Sequence, residues 1–436
     1  MKRKRWGTLG ILAAALLAAA VPAAAASTAA VSTAAASAAA APAAPPSEHA
    51  PSSSLTPLRQ AFETAWAKQP EQRAGALRRD AAAAGMRAAE RWTPETMALD
   101  LTARTDRWNR NAGTREYEAA VSVPLWSPGE RAKSLAAAQS QAHAADTLVG
   151  AAQWRLADAV REAHWAHQRA RIEQEVAQQR LASAQGIARD VQRRVAAGDL
   201  ARADAHQADS AVALAQSALA EAAVAMAETT QAWLALTGQE VRAGQDEPLP
   251  AAPHPALPAA EHPALRDLQA RVDVARRQGE LASVQTRANP DLTLGTTRER
   301  DARGERYAQS IHVGVRIPLG RASASDARLA NASADLLEAQ SQLDLEAQRI
   351  GARIAAARTR VELLTQARGA AQRRATLAGE SRGFFDQAFR LGESDLPTRL
   401  RIDLEAFEAE RQAARSRLEV GAAISQLRQA LGLLPE

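Results

Sequence analysis

One short motif occurs twice: Val121-Ser122-Val123-Pro124-Leu125 returns as Val315-Arg316-Ile317-Pro318-Leu319, an offset of 315 − 121 = 194. Gly198 and Gly392 keep that offset, as do Gly238 and Gly432, while Pro70 and Pro94 meet Pro263 and Pro290 at 193 and 196. Two copies of one supersecondary unit therefore fill most of the 436 residues. Whatever one copy folds into, the other must accompany.

Each copy reads as a helix, two alternating segments, a very long helical stretch, a Gly-containing break and a returning helix. In the second copy Ile311, Val313, Val315 and Ile317 fall on one face, with Ser310, His312, Gly314 and Arg316 on the other. Tyr117, Ala119, Val121 and Val123 against Glu118, Ala120 and Ser122 repeat the pattern, and Met97–Thr105 and Asp291–Arg298 are the expected partner strands. A strand of about nine residues is the length needed to cross a bilayer at a tilt. Four such strands cannot close on themselves, so in lipid the barrel must be shared among several chains. Trp92, Trp108, Tyr117, Trp126 and Tyr307 lie in or beside these segments although aromatics are only 3% of the chain, which fits interfacial anchoring.

Counting in sevens from Leu336 gives Leu343, Ile350, Ala357, Leu364, Ala371, Ala378 and Phe385, a coiled-coil seam reinforced by Ala347, Ile354 and Val361. A helix over Glu130–Ala197 would run about 100 Å, its return over Leu200–Thr237 about 55 Å, and a further helix over His262–Ala288 about 40 Å. One long helix thus leads away from the strands and two stacked ones lead back, with hairpin tips at Gly198 and Gly392. Gly392 suits a left-handed helix end, Ser394 or Asp395 a cap, and Pro397 a first turn.

The N-terminus runs from Lys2-Arg3-Lys4-Arg5 through an apolar stretch at Leu9–Val21 to Ala23-Ala24-Ala25-Ala26-Ser27, the order of a secretory signal. The expected organisation is a signal peptide at 1–26, an Ala/Ser/Pro-rich flexible leader at 27–54, a first repeat at 55–243, a Pro-rich connector at 244–261 and a second repeat at 262–436. Of the formal charge of +5, Lys2, Arg3, Lys4 and Arg5 supply four, so the mature chain is nearly neutral and nucleic acid is not an expected partner. Zero cysteine excludes disulfides, thiol catalysis and a cysteine-borne lipid. Beyond the N-terminus no apolar run is read as a spanning helix. No phosphate-binding loop, His-Glu-x-x-His helix or Gly-x-Ser-x-Gly elbow is present, so neither an enzyme nor a cofactor is expected. His164 and His167 are close enough on a helix to share a metal, but without a third ligand they read as polar surface.

The doubled unit, the Val-Pro-Leu and Ile-Pro-Leu strand ends before long helices, Asn289-Pro290-Asp291 leading into a strand, and the Gly-Asp-Leu and Gly-Glu-Ser-Asp-Leu tips resemble the outer-membrane efflux protein family, the TolC-like exit ducts of tripartite pumps and type I secretion. The resemblance covers Leu55–Glu436. It implies a mainly α chain with transmembrane β: a homotrimer with a shared twelve-stranded barrel in the outer-membrane lipid and a periplasmic helical tunnel. It also implies a periplasmic adaptor and an inner-membrane pump as partners, with adaptor contacts at Gly198, Asp199 and Leu200 and at Gly392, Glu393, Ser394, Asp395 and Leu396. The polar strand face, Asp100, Thr102, Glu118, Ser122, Thr293, His312 and Arg316, would line the barrel lumen. Some relatives carry an acidic pair after the second tip; its counterparts here are Thr398 and Arg401. Arg399 or Arg401 lining a basic constriction is one reading, and solvated or inter-helix paired arginines the other. The tip sequences lean toward ducts of resistance-nodulation-division pumps that export heavy-metal cations. The rival class is a soluble periplasmic coiled-coil structural or adaptor protein, which would need no lipid-facing strands.

Overall fold

The computed structural model describes residues 56–241, 247–250, 261–320 and 325–436. The expected signal and leader, and most of the expected connector, lie outside the described residues. The elements in chain order are α1 Pro57–Lys68, α2 Pro70–Glu90, β1 Ala98–Thr105, β2 Arg115–Pro124, α3 Glu130–Ala197, α4 Arg202–Thr237, α5 Pro263–Val284, β3 Asp291–Arg300, β4 Ala308–Arg316, α6 Ser325–Leu391 and α7 Leu396–Ala430.

The first copy opens with two helices rather than the single one expected. The Thr56 hydroxyl accepts from the Arg59 N–H and starts α1, and Gln69, held extended at φ −67° and ψ 137° ahead of Pro70, ends it. The long helices follow the sequence closely. α3 has 68 residues and α6 has 67, each about 100 Å. α4 and α5, with 36 and 22 residues, together retrace about 87 Å. α5 stops at Val284, four residues short of expectation, because the chain must straighten before Asn289-Pro290.

α4 and α5 both pack along α3, α7 packs along α6, and α5 lies against α6 as well. Leu58, Phe62, Leu156, Val160 and Trp233 form a core joining α1, α3 and α4. On α6 the heptad seam is the sheltered side, with Ile350 and Ala375 buried. A second stripe at seven-residue spacing, Leu363, Leu377 and Phe384, is 57%, 63% and 71% exposed. Contrary to the expectation that no apolar run beyond the N-terminus has the length of a spanning helix, α4 is long and apolar enough to cross a membrane by length and composition. Its apolarity is largely alanine, which lets it lie close along α3, and Leu214 and Val224 remain exposed on it.

The four strands form one antiparallel sheet in the order β1-β2-β3-β4. The two copies are thus joined edge to edge through β2 and β3, from Arg115↔Arg300 to Pro124↔Asp291.

Candidate functional site

Cross-strand rows sort the sheet into two chemically opposite faces. Leu99, Val121, Leu294 and Val313 stand side by side, as do Leu101, Ala119, Thr296 and Ile311. Leu99, Leu101, Leu294, Ile311 and Val313 are all at least 56% exposed. All seven residues expected to line a lumen fall on the other face, where Asp100, Ala120, Gly295 and His312 make one row and Thr102, Glu118, Thr297 and Ser310 the next. That face holds five carboxylates, Asp100, Glu116, Glu118, Asp291 and Glu299, against the guanidiniums of Arg104 and Arg316. His312 Nε2 lies 3.5 Å from Glu118 Oε1. Its ring crosses the sheet over Gly295, where an added Cβ would sit 2.4 Å from the imidazole, so glycine is what admits the histidine.

The hairpin tips are built alike. Gly198 and Gly392 have φ of 89° and 80°, the left-handed conformation that ends a helix. The N–H groups of Asp199 and Glu393 donate to Arg194 O and Ala388 O at 2.9 Å, and those of Gly198 and Gly392 to Val195 O and Phe389 O. After the second tip Asp395, not Ser394, caps α7, its carboxylate accepting from the Thr398 N–H at 3.2 Å and held below the usual carboxylate range by bonds to Thr398. After the first, the Asp204 carboxylate accepts from the Ala201 N–H at 3.1 Å.

Both tips pack into one cluster of Ile187, Val191, Ala208, Phe389 and Leu396, with Leu200 and Leu400 against it. Phe389 carries the guanidiniums of Arg194 and Arg399 at 4.8 and 4.7 Å from its ring centre. Arg194 also donates to Phe389 O and Arg390 O at 2.9 and 3.0 Å. The two candidate constriction arginines part company here. Arg399, its side chain 13% exposed, pairs with Asp386 and lies 3.7 Å from Asp190, bridging α7 to α6 and α3. Arg401 is exposed and pairs along its own helix with Glu405 at 2.6 Å. Near it, burial raises the pKa of Asp403, whose carboxylate accepts from Ser183 Oγ at 3.2 Å. A raised acid binds more protons folded than unfolded, so its stabilising contribution is largest at low pH and is lost as pH rises through its folded pKa. Asp403→Asn should therefore raise the melting temperature at neutral pH, with the gain vanishing toward acid in a pH series of thermal melts.

Sequence reasoning missed a buried ionic cluster where the connector meets α3 and α7. The Glu247 carboxylate, 2% exposed, accepts from Arg161 Nε and Nη2 at 2.9 and 2.7 Å and from Ser425 Oγ. Arg161 Nη1 also reaches Gln429 Oε1 and Leu433 O. Arg428 Nε lies 3.4 Å from Glu247 Oε1, while its Nη1 donates to Pro248 O and its Nη2 sits 2.7 Å from a Glu436 carboxylate oxygen. The only signal was Glu247-Pro248 within a Pro-rich stretch. Of the two histidines expected at the polar surface, His167 is instead buried, with its pKa lowered by desolvation, and His164 packs on Trp165 and Trp233; no group of three metal-ligating side chains stands together among the described residues.

Residues 62–239 match the family model described as outer membrane efflux protein. No curated protein matches the chain in sequence. Among solved structures, the fold is similar to the outer membrane protein VceC of Vibrio cholerae, at 18% identity and TM-score 0.70 over 87% of this chain and 97% of that one. CusC, whose structures concern folding and transmembrane channel formation, superposes at 16% identity and TM-score 0.72 over 86% and 92%. The open-state channel MtrE of Neisseria gonorrhoeae gives 16% and 0.68 over 87% and 90%.

Proposed function

We propose that this chain, whose residues 62–239 match the outer membrane efflux protein model, is a member of that family and an outer-membrane exit duct with a periplasmic helical tunnel, and that three copies join their sheets into one twelve-stranded barrel. Members of the family form trimers, work with an adaptor and an inner-membrane pump, and conduct passively. The observation that carries the reading is the two-faced sheet with open β1 and β4 edges: an apolar face suits lipid, and free backbone groups at those edges need a neighbour there. The ten residues of β2, Arg115–Pro124, run roughly 30 Å, which at a tilt of about 35–45° spans the apolar band of a membrane barrel. The exposed stripes on α6 and α4 supply apolar surface for neighbouring protomers.

In this reading Asp100, Thr102, Glu118, Ser122, Thr293, His312 and Arg316 line the lumen. The adaptor meets the tips at Gly198–Leu200 and Gly392–Leu396, and a resistance-nodulation-division pump supplies the energy. Residues 1–26 direct export, 27–54 form a leader, and 244–261 join the repeats 55–243 and 262–436. Arg401, exposed and paired along its own helix with Glu405, faces a tunnel constriction in this reading, whereas Arg399 is engaged between helices. The five carboxylates on the inward face favour cations, in keeping with metal-cation cargo.

The test is conductance in planar bilayers with the mass in detergent. Stepwise currents from a trimer, carried preferentially by cations in a salt gradient, are expected; a water-soluble monomer that never inserts would overturn the reading. Within the same recordings, Glu116→Gln with Glu118→Gln should shift the reversal potential toward anions while leaving assembly intact.

A further inference from the structure

The apolar face of the sheet ends, at its loop side, in a band of arginines. Arg115, Arg298 and Arg300 share the face of Leu99, Val121, Leu294 and Val313 by strand alternation. Tyr117 and Tyr307 accompany them with ring centres 6.5 Å apart, and Arg298 and Arg300 lie 4.7 and 5.1 Å from the Tyr307 ring centre. Arg115 and Arg300 are direct cross-strand partners, an arrangement of like charges that is destabilising by itself. No carboxylate relieves it. The outward positions of all four strands hold no Asp or Glu, and none of the three arginines has an ion-pair partner among the described residues.

The band is held in place. Asp106 accepts from the Gly113 N–H at 3.0 Å within the first strand-connecting loop, and Thr114 Oγ1 donates to Asp301 O at 3.0 Å and Arg303 to Asn111 Oδ1 at 2.7 Å, clamping the two loops to each other. Arg300 Nε donates to Gly113 O at 3.1 Å, and its two terminal nitrogens have no hydrogen-bond partner among the described residues.

We propose that Arg115, Arg298 and Arg300 bind the phosphate groups of a phosphorylated glycolipid in the outer leaflet of the outer membrane. The inference rests on the barrel reading above, which puts the apolar rows in hydrocarbon and this band at the headgroup level. Guanidinium forks match phosphate oxygens, and an anion between Arg115 and Arg300 turns their repulsion into a shared attraction. The two tyrosines provide the interfacial ring surface beside it.

The experiment uses the full mature protein in detergent, titrated with bis-phosphorylated lipid A, with dephosphorylated lipid A and with inorganic phosphate, and read by native mass spectrometry. Retention of bis-phosphorylated lipid A well above that of the dephosphorylated form, undiminished by millimolar inorganic phosphate, is expected. Arg115→Gln, Arg298→Gln and Arg300→Gln should each weaken it about fivefold and the triple variant about a hundredfold, while Arg104→Gln on the inward face leaves it unchanged. Equal retention of both lipids, or displacement by inorganic phosphate alone, overturns the proposal. Resistance of the wild-type protein to alkaline extraction from membranes separates the two failures. An integrated protein with no phosphate preference removes only the lipid site; an extractable one removes the barrel reading and the lipid site together.

Discussion

Replacing Glu247 with alanine should cost about 3–5 kcal/mol, the usual penalty for removing one partner of a buried ion pair, and should be visible as a large drop in the thermal or denaturant midpoint. The carboxylate sits between two guanidiniums that are each 3% exposed, on α3 and α7. Without it the buried guanidiniums of Arg161 and Arg428 lose the carboxylate between them, and Ser425 loses its acceptor. The loss comes chiefly from uncompensated charge rather than from a missing attraction. A double variant, Arg161→Met with Glu247→Leu, should therefore be much less harmful than Glu247→Ala alone. If Glu247→Ala melts like the wild type, the cluster is not holding the connector to the helices.

On the proposed barrel, Val313→Arg should be nearly as damaging, at about 2–4 kcal/mol for a cation placed mid-strand on a lipid-facing row. Val313 is 69% exposed and stands beside Leu294 in a row with no polar member. The measurement is urea-dependent folding into vesicles, compared with Ser310→Arg, which puts the same side chain on the inward face and should cost far less. Equal, small effects at both positions would mean that neither face meets hydrocarbon and would favour a soluble coiled-coil protein.

Much of the fold is legible in the sequence because the relevant signals are periodic. Alternation at Ile311–Ile317 gives face and register together, since a slip of one residue would exchange the faces. Glycine with a following capping acid marks each tip, and doubling removes the ambiguity that any single glycine would leave. What escaped was of a different kind. Arg399 reads like any helical arginine; its pairing with Asp386 and Asp190 depends on how three helices cross, which no local pattern encodes. Glu247 lies in a stretch whose composition signals only a linker. α4 escaped notice as an apolar helix because alanine is a weak mark of burial and a strong mark of helix.

The pairing of β2 with β3 also dictates an order of events. Each hairpin, β1 with β2 and β3 with β4, closes over a short loop and can form quickly. Joining them is another matter: Pro124 and Asp291 are register partners, yet the chain between them contains the whole of α3, α4 and α5. A flexible segment of that length would meet its own end slowly and at an entropic cost. Folded helices remove that search, because α3 carries the chain about 100 Å away and the stacked return of α4 and α5 delivers it back beside its point of departure. The helical shaft therefore acts as the jig on which the sheet is laid, and assembly should run from the helical end toward the strands.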